Sequence, residues 1–132
     1  MRFSRTAEYA LRVAACLARS PEGDFVRAQE IAEAAAVPRD YLSKIMRRLV
    51  EAELLESRKG HGGGFRLARA PSAIRFIDVL SAVGYQSDEG QCAFGWDKCS
   101  VTDPCPLHPF WSKLRGDVDR WAGNNTLADF GG

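Results

Sequence analysis

The sequence lacks any apolar run of the 18 or so residues that a membrane-crossing helix requires, so a spanning protein is not expected. It lacks a secretory leader as well: Met1-Arg2-Phe3-Ser4-Arg5-Thr6-Ala7-Glu8 carries a charge every few residues, which predicts a cytoplasmic location. Histidine is scarce, with only His61 and His108. No Ser/His/acid set, paired carboxylates or cofactor-binding loop stands out, so an enzyme is not expected. The glycine run Gly60-His61-Gly62-Gly63-Gly64 has no following Lys-Ser/Thr, which excludes a phosphate-cradling P-loop. Close C-x2–4-C pairs, internal repeats and low-complexity tracts are absent too. Net charge is only +1 and by itself names no partner.

The distribution of charge says more. Residues 39–75 hold nine Lys/Arg against four Asp/Glu, net +5, whereas residues 76–132 hold four against eight, net −4. A basic middle beside an acidic end predicts an anionic partner for the middle alone. The 132 residues suffice for one domain with a real core and an appended element.

Periodicity lays out the elements. Ser4 is placed to cap a first helix with Ala7, Leu11, Ala14, Leu17 and Ala18 inward, and Cys16 reads there as a small buried hydrophobe. Phe25-Val26 reads as a short extended stretch. A second helix covers about 28–36, with Ala28, Ile31, Ala32 and Ala35 on one face. Val37-Pro38 breaks the pattern, and a third helix runs to about Ala52. Its core stripe is Leu42, Ile45, Met46, Leu49 and Val50. Two strand-like runs around the glycine-rich tip, ending in Phe65-Arg66-Leu67, read as a hairpin. A fourth helix spans about 75–83, and a last helix begins near Pro109. Its stripe of Trp111, Leu114, Val118 and Trp121 reads as core. Thr126-Leu127-Ala128-Asp129 has the form of a capping box for a short terminal turn.

Three helices followed by a hairpin predict a mainly α, winged helix-turn-helix fold over residues 1–84, with a small β-hairpin wing. The third helix would enter the major groove of double-stranded DNA, presenting Arg39, Tyr41, Ser43, Lys44, Arg47 and Arg48. Arg58 and Lys59 at the shoulder of the hairpin, with His61 at its tip, are the candidate wing contacts.

Residues 85–108 form a third kind of segment, a cysteine-bearing loop with Cys92, Cys99 and Cys105 spaced C-x6-C-x5-C and His108 three residues on. With so few apolar side chains, little but a ligand offsets the chain entropy of such a stretch. Thiolates are soft donors for an iron–sulfur cluster, zinc or copper(I). Structural zinc prefers closer pairs, so this spacing suits a multi-iron object better. Zinc and redox-active thiols remain the alternative: a zinc-stabilised or thiol-redox regulator without a cluster.

Thr6-Ala7-Glu8-Tyr9-Ala10-Leu11-Arg12, Gln29-Glu30-Ile31-Ala32, Tyr41-Leu42-Ser43-Lys44-Ile45, the Lys59–Leu67 wing, the three cysteines and Asn125-Thr126-Leu127-Ala128-Asp129 together resemble the IscR/NsrR/RirA-type regulators of the Rrf-two superfamily. The resemblance implies a homodimer on a partly palindromic operator, joined through a long C-terminal dimerisation helix in residues 109–132, so that Trp111, Leu114, Val118 and Trp121 become a dimer stripe. It also implies an iron–sulfur cluster that senses iron, redox or nitric oxide status and switches DNA affinity. IscR-like members hold 2Fe–2S with three cysteines and a histidine placed as His108 is here. NsrR-like members hold 4Fe–4S with a carboxylate from the first helix of the partner subunit, the place of Glu8. Where the family usually carries Arg before the first wing glycine, this chain has Lys59, a point charge without a bidentate fork.

Overall fold

The computed structural model describes residues 3–85 and 108–130, leaving aside the side chains of residues 108–111. Cys92, Cys99 and Cys105 lie outside the described residues.

Helix α1, Arg5–Arg19, starts where Ser4 Oγ accepts from the Ala7 amide at 3.2 Å. It is the central helix, touching the second, third and fourth helices and the closing turn of the chain. Its buried face is Ala7, Ala10, Val13, Ala14 and Leu17. The face is thus rotated from the expected one: Ala10 and Val13 are inside, while Leu11 and Ala18 sit at the rim. Small residues win these positions because helices pack around α1 on several sides and leave little room. Cys16 is half-buried rather than fully inside.

Helix α2, Ala28–Ala35, and helix α3, Arg39–Glu51, form the helix-turn-helix. Ala36 turns the chain between them in the left-handed region, φ 55° and ψ 49°. The Val37 amide then reaches back to Ala32 O at 3.0 Å, the bond pattern that closes a helix at a left-handed residue. Pro38 precedes the first turn of α3, where no intrahelical amide is lost. Leu42, Ile45, Met46 and Leu49 are buried as the i, i+3, i+4, i+7 pattern predicts.

Strands β1, Leu55–Arg58, and β2, Gly64–Leu67, pair antiparallel with Leu55 opposite Leu67 and Arg58 opposite Gly64. The Gly63 amide donates to Gly60 O at 3.0 Å, and Gly62 at the third turn position has φ +77°. That is the left-handed requirement of a type II turn, and it leaves His61 projecting at the second position. Val26 forms a bridge to Phe65, with both amides donating across at 2.8 Å, so the wing is fastened to the chain just before α2.

Helix α4, Phe76–Ala82, starts with the Asp78 carboxylate accepting from the Arg75 amide at 2.9 Å. It stops at Gly84, φ +92°. Helix α5, His108–Asn124, packs on α4 and is longer at both ends than the expected helix. Beyond it the chain pairs with the segment entering α4: the Phe76 amide donates to Asn125 O at 3.1 Å and the Leu127 amide to Ile74 O at 2.9 Å. The capping box forms at Thr126 and Asp129, whose carboxylate accepts from the Thr126 amide at 3.1 Å. Ala122 and Leu127 are fully buried in the same core as α1 and α3. Burying side chains such as Ile74, Leu80 and Leu127 contributes about 1.5–3 kcal/mol each. No helix among the described residues is long and apolar enough to cross a membrane.

Candidate nucleic-acid interface

Helix α3 turns its charged face to solvent. Arg39, Ser43 and Arg47 recur every fourth residue in one exposed row, with Tyr41 and Lys44 beside it. Arg39, Lys44 and Arg47 have no ion-pair partner among the described residues. Thirteen residues give α3 a length of about 20 Å, enough to lie in a major groove.

The structure separates Arg48 and Tyr41 from this simple picture. Arg48 donates from Nη1 to Val83 O at 3.2 Å, so its guanidinium caps the C-terminal end of α4. Tyr41 packs edge-on against Tyr9 of α1, centroids 5.2 Å apart, and is 39% exposed. Arg12 lies over the other ring of that pair, 5.5 Å from the Tyr9 centroid, and donates to Ala36 O at 3.3 Å. Helix α1 therefore props both the turn and the start of α3. Spacing alone does not mark Tyr9 and Arg12 as contributors to the interface; their place in the Thr6–Arg12 motif is the available signal.

On the wing, Arg58, Lys59 and His61 are exposed. Arg58 stacks over the Phe25 ring, 4.4 Å from its centroid. Arg66 also lies over Phe25, at 4.3 Å, and is fixed by Glu56 at 2.8 Å and by Gly23 O at 3.0 Å. In the sequence Phe25 belongs only to a short extended stretch, because no local pattern reveals a contact with the wing 33 residues on.

The cysteine segment is bounded by described residues at both ends. His108 is the first residue of α5, its side chain outside the description. At the other end, the Tyr85 hydroxyl donates to Asp119 Oδ1 at 2.8 Å, and the buried Arg115 lies 4.8 Å from the Tyr85 ring centroid. The described chain thus stops at Tyr85 beside the middle of α5 and resumes at the first residue of that helix, about 10–16 Å along it. Glu8 is half-buried on α1 and already engaged. Among the described residues no group of three His, Cys, Asp or Glu side chains comes together to hold a metal. Burial raises the pKa of the Cys16 thiol, with Arg19 opposing and Glu30 adding, so it stays protonated at neutral pH.

Of the proposed dimer stripe, Leu114 and Val118 are half-buried within the single chain. Trp121 stacks on Phe76, centroids 4.6 Å and planes 15° apart, yet remains 47% exposed. The face of α5 turned inward carries Arg115 and Ala122, a charged residue where apolar patterning alone would not place one.

An exposed basic helix after a tight turn, flanked by a hairpin with cationic shoulders and a glycine tip, defines a winged helix-turn-helix DNA-binding transcription regulator. Residues 3–131 match the Rrf2 family, described as iron-dependent transcriptional regulators, and the chain belongs to that family. It is accordingly a regulator and not an enzyme. A relative in Aquifex aeolicus, assigned as an HTH-type transcriptional regulator, is 33% identical over 131 residues, covering 98% of this chain and 90% of that protein. IscR of Escherichia coli O1:K1 is 30% identical over 129 residues, covering 98% and 79%. Among solved structures, IscR of T. potens superposes with a TM-score of 0.74 at 27% identity, covering 98% and 85% of the two chains. CymR of B. subtilis, the global cysteine regulator of that organism, shares the fold with a TM-score of 0.79 at 22% identity, covering 98% and 95%.

Proposed function

We propose that this regulator acts in the cytoplasm as a homodimer that reads a partly palindromic operator and senses iron, redox or nitric oxide status through an iron–sulfur cluster held by Cys92, Cys99, Cys105 and His108. The donor set fits the group: three soft thiolates with an imidazole are iron–sulfur ligands, and 2Fe–2S is the form this set favours. The 4Fe–4S alternative draws its fourth ligand from the partner subunit's Glu8. Bound there, a cluster would supply a ligation and charge state that responds to iron supply and oxidation.

The observation that carries the reading is the position of His108 at the first residue of α5. A ligand at that point ties the cysteine segment to the helix that also holds Tyr85, stacks Trp121 on Phe76 and buries Ala122 in the core. A shift of α5 is then felt by α4 and, through Arg48 on Val83, by α3. Trp111, Leu114, Val118 and the exposed part of Trp121 would face the partner, so the same shift resets the spacing of two recognition helices on DNA. Arg39, Ser43 and Lys44 near the start of α3 reach base edges, and Arg47, Lys59 and His61 reach the backbone.

The test is a Mössbauer spectrum of anaerobically purified protein, paired with titration of operator DNA before and after cluster removal. Iron with matching acid-labile sulfide, a spectrum altered by His108→Ala, and a changed affinity on removal are expected. Stoichiometric zinc, or a DNA response to thiol oxidation with no iron present, would replace the reading by a zinc-stabilised or thiol-redox regulator.

A further inference from the structure

Among the arginines of the wing, Arg58 and Arg66 share one aromatic ring but not one fate. Arg66 spends its donors inside the molecule, on the Glu56 carboxylate and the Gly23 carbonyl. Arg58 is the last residue of β1, beside the turn, and its side chain has no hydrogen-bond or ion-pair partner among the described residues. Its guanidinium lies over the face of Phe25, 4.4 Å from the ring centroid. A guanidinium stacked on a ring keeps the N–H groups of its edge available in a plane, the geometry that takes a phosphate bidentately. Stacking also removes rotamer freedom before binding, a cost that a free surface arginine meets on contact.

We infer that Phe25 is a positioning residue for DNA binding: it presents Arg58 as a clamp for one backbone phosphate beside the wing, while Arg66, pinned by Glu56 and Gly23, steadies the ring from the same hairpin face. This rests on the winged helix binding DNA and adds a contact set by a residue outside both the recognition helix and the wing. The Val26–Phe65 bridge next in sequence fixes Phe25 against the hairpin, so the clamp is built by the same fastening that attaches the wing.

The probe is a mixed-sequence duplex, because a phosphate contact acts on any sequence. Arg58→Ala lowers the slope of log affinity against log salt by about 0.9, the share of a single phosphate. Phe25→Leu, which keeps apolar bulk but removes the ring, weakens binding about two- to five-fold, the usual strength of one such cation–ring contact. Phe25→Trp retains wild-type binding. Combined with Arg58→Ala, Phe25→Leu adds no further loss, since the ring acts through that side chain. An unchanged salt slope for Arg58→Ala overturns the inference. So does an equal loss from Phe25→Leu with and without Arg58→Ala, which would mark Phe25 as mere support for the wing. Absence of any salt-dependent binding by the wild-type protein would instead bring down the DNA-binding reading beneath it.

Discussion

Gly64→Ala is the sharpest test of how the wing is fastened. A Cβ at Gly64 would stand 2.3 Å from Val26 O and 2.6 Å from Val26 C, and the residue has φ +138°. Both obstacles are backbone, so no rotamer change relieves them. Relief requires Val26 and Phe65 to part, breaking two hydrogen bonds of 2.8 Å each. Two such bonds contribute about 1 kcal/mol apiece. The backbone conformation, forbidding to a residue with a side chain, adds about 1–3 kcal/mol. The expected loss is therefore about 3–5 kcal/mol, a large part of the stability of an ordinary domain. Gly62→Ala is the control. Its φ is +77°, but nothing lies within 4 Å of an added Cβ. Only the left-handed penalty of about 1–2 kcal/mol applies. Urea unfolding of the two variants, read as midpoint changes at constant slope, measures the difference. Equal losses would show that the Val26–Phe65 contact does not hold the wing, and the reasoning would fail.

Four further outcomes concern the turn, the recognition helix and Cys16. Ala36→Gly relieves a left-handed alanine at the turn, φ 55°, and should stabilise the fold by about 0.5–1 kcal/mol in urea unfolding after the greater unfolded-state freedom of glycine is counted. Arg47→Ala should weaken DNA binding and reduce its salt slope without changing stability. Arg48→Ala should also lower stability by about 1 kcal/mol, because it uncaps Val83; comparison of DNA titrations with thermal melts separates the two. Cys16, whose thiol pKa is raised by burial, should be alkylated more slowly by iodoacetamide at pH 8 than a free cysteine, as followed by peptide mapping. The folded state holds that proton more tightly, so its contribution to stability is present below the unfolded thiol pKa and is lost as pH rises through the folded value. Rapid labelling of native Cys16 would contradict its burial.

Much of the fold is written in short-range pattern. The Ser4 cap, the Leu42–Leu49 stripe, the glycine turn at the wing and the Thr126–Asp129 capping box each depend on residues within one or two turns, and each appears where spacing puts it. What spacing could not reveal are contacts made across the sequence. Arg48 looks like every other cation on its helix until α4 arrives beside it. Phe25 reads as a lone aromatic in a loop until the hairpin folds over it. Trp121 belongs to an apolar stripe, but its stacking on Phe76 is a property of two helices 45 residues apart. On α1 Ala7, Ala14 and Leu17 are inward as spacing predicts, but large Leu11 draws the apparent stripe toward itself while the crowded core selects Ala10 and Val13. The candidate metal ligands show the opposite case: their chemistry is plain in the sequence, while Cys92, Cys99 and Cys105 lie outside the described residues.

The pairing of residues 74–76 with residues 125–127 has a consequence for how the protein is made. Leu127 fills the same core as α1, so the core of the DNA-binding half is complete only once residue 127 has left the ribosome. By then Cys92, Cys99 and Cys105 have already been synthesised. A nascent chain stalled after α4 holds every residue of the recognition helix and wing but not the side chain that seals them. Completion of the core thus follows synthesis of the cysteine segment.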